Sequence, residues 1–396
     1  MTHSLAPLTQ FRVEPQSNGL VHLVFDCPDR SMNVFSNKAI HELGAFAEWL
    51  HGADVRGVVI RSGKSTGFCA GADLSEMGAA YDMIVAAPPA DRFDLAFNHF
   101  FPLSHAIRRL ETASKPIVAA IGGVALGGGC ELALGAHYRI ATTGKRTILG
   151  LPECGVGLLP GAGGTQRMPR LVGVELGLDV LLLGRTLQGA EALSVGLIDA
   201  LVEEGEEVAA AEAWLLSGEA HSVQPWDRPD HRPAAHCAIA NALNTCLTRE
   251  LARMAGHEPA PLAILDCVEL GMIQPIDGAI RAEMSVFARL IQRPEPRNMI
   301  RTLFLGKQAY DKASRDGALS PAVIAASGRI TGLVRDAIGI HPDLTAALGK
   351  LANEIGLITA NLSPLEALQL DHAVTISGAI PAYLGGASGA LELRER

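Results

Sequence analysis

The sequence has no apolar run long enough to cross a bilayer, no excess of basic residues and no paired-cysteine spacing, and each absence removes a class of function. A transmembrane helix needs about 20 consecutive apolar residues, and the longest glycine-free apolar stretches here fall short of that. Met1-Thr-His-Ser-Leu-Ala-Pro-Leu-Thr-Gln10 lacks a basic head followed by an apolar run, so no secretion signal is expected and any membrane role would be peripheral. The net charge of -9 argues against a general nucleic-acid binder. Seven cysteines (Cys27, Cys69, Cys130, Cys154, Cys237, Cys246 and Cys267) are scattered without C-x-x-C spacing or a neighbouring His pair. Reduced thiols in a cytoplasmic protein are therefore expected, and no metal site.

What is present is a large apolar fraction, 48% hydrophobic against 19% charged over 396 residues. That composition supports a sizeable core and argues against disorder. Gly19–Asp26 reads as a strand, a helix follows from about Ser36 with Ile40, Leu43, Phe46, Ala47 and Leu50 on one face, and Val55–Arg61 is the next strand. Met77–Asp91, with its Ala-Ala and Pro-Pro pairs, reads as a mobile surface segment. Phe93–Glu111 reads as a long amphipathic helix, and Pro116–Ile121 and Tyr138–Thr142 as further strands. Strands alternating with helices favour an α/β fold with largely parallel pairing. Strand signals end after Val202. Beyond about Glu203 the pattern is helical, including Ile276–Gln292, where Ile280, Met284, Phe287, Leu290 and Ile291 share one side. We expect a core over residues 1–205, a helical region with a linker helix over 206–306, and a helical segment over 307–396.

The stretch Ile121-Gly-Gly-Val-Ala-Leu-Gly-Gly-Gly-Cys-Glu131 runs from an apolar strand through a glycine cluster into a helix. Glycine permits close approach of a ligand to the backbone, and the first helical N–H groups lack intrahelical partners. Glu131 lies just inside that helix, and Glu153 follows in Leu151-Pro-Glu-Cys154. A second glycine-rich turn, Cys69-Ala-Gly-Ala-Asp73, also precedes a helix. Two carboxylates beside backbone donors point to acid/base chemistry on a group that develops oxyanion character. Cys69, Cys130 and Cys154 lie near this region, but with no paired histidine they read as packed thiols.

Gly127-Gly-Gly-Cys-Glu131, Pro152-Glu153 and Pro160-Gly-Ala-Gly-Gly-Thr-Gln-Arg167 resemble the crotonase (enoyl-CoA hydratase/isomerase) superfamily over the first half of the chain. The resemblance implies a spiral of ββα turns followed here by an all-helical C-terminal region, trimer-based homo-oligomers and an acyl-CoA substrate, with CoA as part of the substrate and no separate cofactor. It implies that the N–H groups of Ala72 and Gly128 form the oxyanion hole and that Glu131 and Glu153 are catalytic. Ala70, Gly71, Asp73, Leu74, Gly127, Pro152 and Gly161 would contact substrate, and Arg30 and Lys38 the CoA phosphates. Having both glutamates favours hydration of 2-enoyl-CoA to 3-hydroxyacyl-CoA. The alternatives are Δ3-Δ2-enoyl-CoA isomerisation or acyl-CoA hydrolysis on the same scaffold, and a non-catalytic acyl-CoA-binding subunit docked to another metabolic enzyme. Ser75 stands where the family often has a CoA-binding lysine. His137 stands where an aspartate is usual and reads as a solvated turn residue.

Gln224-Pro-Trp-Asp227, Pro259-Ala-Pro261 and Arg297-Asn-Met-Ile-Arg-Thr-Leu-Phe-Leu305 are similar to the hydratase half of multifunctional fatty-acid β-oxidation proteins. No G-x-G-x-x-G follows a strand after Leu305, so the NAD-binding half of those proteins is not expected here. The segment Leu370–Gly386 is similar to the end of their dehydrogenase's helical domain. The expectation is a shortened relative that keeps the hydratase.

Overall fold

The computed structural model describes residues 5–254, 257–340 and 343–393. Two compact units divide the chain, the first comprising residues 1–255 and 260–290 and the second residues 256–259 and 291–396.

In the first unit, β1 (Phe11–Pro15) and β2 (Leu20–Phe25) form a hairpin, followed by α1 (Asn37–Gly52). The Ser36 hydroxyl accepts the Ala39 N–H and so caps α1, whose buried face carries Leu43, Phe46, Ala47 and Leu50. Three successive passes then repeat one plan. β3 (Gly57–Ser62) leads to β4 (Gly67–Cys69), then α2 (Leu74–Ala86) and α3 (Arg92–Glu111). β5 (Ile117–Ile121) leads to β6 (Val124–Leu126) and α4 (Gly128–Leu134). β7 (Tyr138–Thr142) leads to β8 (Ile148–Gly150), a 3-10 turn at Glu153–Val156, α5 (Gly164–Val172) and α6 (Val174–Leu183). In each pass the first strand joins a six-stranded sheet and the second a four-stranded sheet before a helix returns the chain. This is the expected ββα spiral. The chain continues through β9 (Thr186–Gln188), α7 (Gly189–Ser194), β10 (Ala200–Val202) and α8 (Glu207–Leu216).

The larger sheet has the order β1-β2-β3-β5-β7-β10 and the smaller the order β4-β6-β8-β9. Every pairing is parallel except β1 with β2 and β8 with β9. Burial on both faces explains why β3 and β5 read as unbroken apolar runs: Val58, Val59, Ile117, Val118 and Ala119 have no exposed surface. Fully burying one such branched side chain contributes about 1.5–3 kcal/mol. Past Val202 the described residues form no strand, and α9 (His236–Met254), α10 (Pro259–Met272) and α11 (Ile276–Leu290) complete the first unit.

One expectation fails in this unit. The segment expected to be a mobile surface stretch from Met77 is, to Ala86, the body of α2, with Met77, Ala80 and Ile84 buried. The Asp73 carboxylate caps the helix by accepting the Ser75 N–H, and the alanines that read as irregular are good helix formers. The Pro88-Pro89 pair acts as a stop just beyond it.

The second unit is wholly helical among its described residues, from α12 (Pro294–Met299) through a π-helical turn at Ile300–Leu305 to α13 (Gly306–Arg315), α14 (Pro321–Ile340), α15 (Leu344–Thr359), α16 (Pro364–Ile376) and α17 (Gly386–Glu392). It has its own core, in which Val323, Ile330, Leu348, Ile355, Leu370, Val374 and Ile380 are completely buried. Among the described residues no helix is long and apolar enough to cross a membrane.

Candidate active site

The strand-to-helix turn before α2 and the start of α4 meet. A parallel bridge pairs Phe35 with Ala72, in which Phe35 N–H donates to Gly71 C=O at 2.8 Å and Asp73 N–H to Phe35 C=O at 3.0 Å. The two bonds use the groups on either side of Ala72 and leave the Ala72 N–H outside the bridge. Ala72 and its neighbour Ala70 are exposed. The Ala70 N–H is tied to Asn33 C=O at 2.9 Å. Gly71 has φ +102, and a methyl group there would lie 3.4 Å from Gly128 N and 3.5 Å from Gly127 Cα. Gly128 opens α4, so its N–H has no intrahelical acceptor. The structure thus brings Gly71, Ala72, Gly127 and Gly128 together. Gly128 has an apolar flank: a methyl group there would meet Phe35 at 3.1 Å and Leu103 at 3.4 Å.

Both glutamates belong to the same place. A methyl group at Gly127, where φ is +53, would fall 2.8 Å from Glu153 Oε1, so only glycine lets this carboxylate lie against the backbone. Glu153 sits in the 3-10 turn after the half-buried Pro152, and its Oε2 is buried without a hydrogen-bond partner. Burial, then the Glu131 charge, hold the Glu153 carboxyl well above the usual range. Both effects favour its neutral, protonated form. Glu131, 3% exposed, has Oε1 saturated by the N–H groups of Ala162 at 2.7 Å and Gly164 at 2.8 Å. Burial pushes its carboxyl up to about 7, against the opposing pull of those amides and of Arg167. Two neighbouring carboxyls in unlike surroundings are a natural acid and base pair.

The sequence reading missed Glu283, which lies on α11 between Ile280 and Phe287 on the face that reads as packed. It is completely buried. It accepts the Gly163 N–H at 2.7 Å, the Thr165 N–H at 3.0 Å and the Thr165 hydroxyl. An acid set among apolar residues at helical spacing is the signal that could have found it. Gly161, half-buried at the start of this turn, lies against the Phe287 ring, which a methyl group there would meet at 3.1 Å.

Arg30, expected to face CoA phosphates, has its guanidinium on Asp73 Oδ2 at 2.6 Å with about half of its side chain exposed. Asp73 is a buried cap and ion-pair partner, and Leu74 the half-buried first residue of α2. Lys38 is exposed on the first turn of α1 and forms no ion pair among the described residues. Ser75 is exposed, its N–H held by Asp73. His137 is not the expected solvated residue. It is 3% exposed, its Nδ1 accepting the Ile117 N–H at 3.1 Å and its Nε2 facing Glu111 C=O at 3.1 Å. Burial pushes it down to about 4, which keeps it a neutral staple between α3 and β5. Burial also pushes the Cys69 thiol up to about 12 and raises Cys130, so neither is a thiolate nucleophile.

Two carboxyls beside converging glycine turns, set in a ββα spiral, suit acid/base chemistry on a group that develops oxyanion character. The sequence model described as Enoyl-CoA hydratase/isomerase matches residues 16–224, and the chain belongs to that family. Curated relatives include the fatty acid oxidation complex subunit alpha of Shewanella loihica, 35% identical over 321 residues, which make up 79% of this chain and 43% of that protein. The subunit of the same name from Shewanella sp. strain ANA-3 is 30% identical over 362 residues, 88% of this chain and 49% of that one. The chain thus spans less than half the length of these relatives. Among solved structures, Pseudomonas aeruginosa DspI aligns with 27% identity and a TM-score of 0.47, covering 68% of this chain and 95% of that one.

Proposed function

We propose that the chain hydrates 2-enoyl-CoA thioesters to 3-hydroxyacyl-CoA. The observation that carries this reading is the presence of both Glu131 and Glu153, unlike in environment, beside the Gly71-Ala72 and Gly127-Gly128 turns.

The thioester oxygen sits between the Ala72 and Gly128 N–H groups, which stabilise the negative charge that grows there by a few kcal/mol, as about 10²–10³ in kcat per donor in comparable sites. Glu131, its Oε1 fixed by two amides, uses Oε2 to accept a proton as the water oxygen bonds to C3. The C2–C3 π electrons move toward the thioester to give an enolate. Glu153, neutral at the start, donates its proton to C2 as the enolate collapses. The product keeps the thioester and gains the elements of water, and proton transfer from Glu131 to Glu153 through solvent resets the pair. The apolar side formed by Phe35 and Leu103 suits the acyl chain.

The family and the relatives' names support acyl-CoA chemistry of this general kind, and the carboxyl pair favours hydration within it. Loss of ultraviolet absorbance by the conjugated thioester when crotonyl-CoA is added tests the proposal. Steady loss catalysed by the protein is expected. No loss with a folded chain that binds CoA overturns it.

A further inference from the structure

The four consecutive amides from Ala162 to Thr165 are shared alternately between two carboxylates from opposite sides. Ala162 and Gly164 donate to Glu131 Oε1, whereas Gly163 donates to Glu283 Oε1 and Thr165 to Glu283 Oε2. The Gly163 backbone makes this interleaving geometrically feasible, since its left-handed conformation, φ +96 and ψ 8, turns successive N–H groups apart. Neither carboxylate can be moved without shifting the turn that holds the other. Glu131 comes from α4 and Glu283 from α11, so the turn joins two distant helices through the reacting group's own carboxylate.

We propose that Glu283 is the positioning residue for Glu131: it clamps the 162–165 turn and so fixes which Glu131 oxygen is left free for water. This inference rests on the hydration reading for its kinetic consequence but not for its geometric one. The remaining charged or titratable groups around Glu283 are Glu153 on the 3-10 turn, Arg167 and Arg170 on α5 and Cys267 on α10, with Arg108 and Glu111 on the packed face of α3. Glu111 engages both Arg108 and Arg167. Burial, then the Glu131 charge, push the Glu283 carboxyl up to about 8, against the Thr165 hydroxyl and the Gly163 amide that favour its ionised form.

Glu283→Gln keeps the side-chain shape while placing an amide donor against one of the backbone donors, which breaks the clamp. Thr165→Val leaves the Glu283 carboxyl in place but removes its hydrogen bond from the Thr165 hydroxyl. Both full-length variants are compared with wild type by two measurements. The first is a carbon-13 NMR titration of glutamate carboxyls, with the Glu131 signal assigned by its loss in Glu131→Gln. The second is crotonyl-CoA hydration.

In Glu283→Gln the Glu131 midpoint is expected to rise, because a released turn withdraws the Ala162 and Gly164 amides that favour its ionised form. Turnover is expected to fall about 100-fold with KM little changed, as misplacement of a reacting group requires. Thr165→Val shifts both in the same direction by less, and it decides the matter alone if Glu283→Gln does not fold. An unchanged or lowered Glu131 midpoint, or a loss that falls on KM with kcat intact, overturns the positioning role. A raised midpoint in a chain whose wild type does not hydrate crotonyl-CoA supports the clamp and overturns only the hydration reading.

Discussion

Glu111 and Arg167 form the most deeply buried ion pair at the site, and the account expects their removal to be unequal. Both side chains have no exposed surface, and the guanidinium meets the carboxylate twice, at 2.7 and 2.6 Å. Glu111 has a second cation, Arg108, at 3.2 Å, and Arg108 is itself held by Asp227 and Asp277. Among the described residues Arg167 has no second carboxylate in ion-pair contact, only the Ala162 carbonyl at 3.1 Å. Glu111→Gln therefore leaves a buried cation with no carboxylate in hydrogen-bond contact, which costs about 3–5 kcal/mol. Arg167→Met leaves Glu111 Oε2 still paired with Arg108 but removes the hydrogen bonds to Glu111 Oε1 and to the Ala162 carbonyl, at a cost of about 1–3 kcal/mol. By scanning calorimetry the first change lowers the melting temperature of the first unit by about 10 °C and the second by about 3–5 °C. The double variant is expected to be more stable than Glu111→Gln alone. If Arg167→Met costs as much as Glu111→Gln, or if the double variant is the least stable of the three, the reasoning from uncompensated charge is wrong.

Gly127→Ala places a methyl group 2.8 Å from Glu153 Oε1 at a φ of +53, so it should displace that carboxyl and lower kcat by about 100-fold with the circular dichroism spectrum retained; wild-type turnover would contradict the position of Glu153. The carboxyl of Glu131 is raised to about 7 in the folded chain, so the native state binds more protons than the unfolded state between that value and the ordinary carboxylate range. This contribution to stability is complete at low pH and is lost as pH rises through about 7. Glu131→Gln abolishes it and should gain about 3 kcal/mol relative to wild type on going from pH 4 to pH 8. His137 acts in the opposite direction. Its folded value of about 4 lies below the ordinary imidazole value, so its contribution is complete above about 6.5 and is lost as pH falls toward 4. His137→Asn should flatten that limb of a urea denaturation series, and an unchanged limb would show that burial of the neutral ring is not its cause.

The parts of the site that are local in sequence were legible, and those assembled from distant segments were not. Glycines at the starts of α2 and α4, and acids at fixed offsets from them, mark backbone conformations that few other residues can adopt, so Gly71, Gly127, Glu131 and Glu153 could be read from type and spacing. The larger sheet was likewise visible, because β2 and β5 are buried, largely apolar runs of six and five residues and β3 opens with four buried ones. The smaller sheet was not, since β4, β6, β8 and β9 are three residues each and lie among glycines and turns that give no alternation. Glu283 reaches its turn across 120 residues of chain, and only its place between Ile280 and Phe287 hinted that an acid was buried there. His137 shows the same limit from the other side. It looked like a solvated turn residue, and its pairing with two backbone groups depends on segments that sequence spacing does not bring together.

The most direct test of the central claim is the fate of water oxygen. Crotonyl-CoA is incubated with wild type, Glu131→Gln and Glu153→Gln in heavy-oxygen water, and the thioester and free CoA are resolved by mass spectrometry. Wild type should place one labelled oxygen in the acyl chain with the thioester intact, and each variant should form that product about 10²–10⁴-fold more slowly while still binding CoA. Label in a released carboxylate, a product without label, or variants that match wild type would contradict the account.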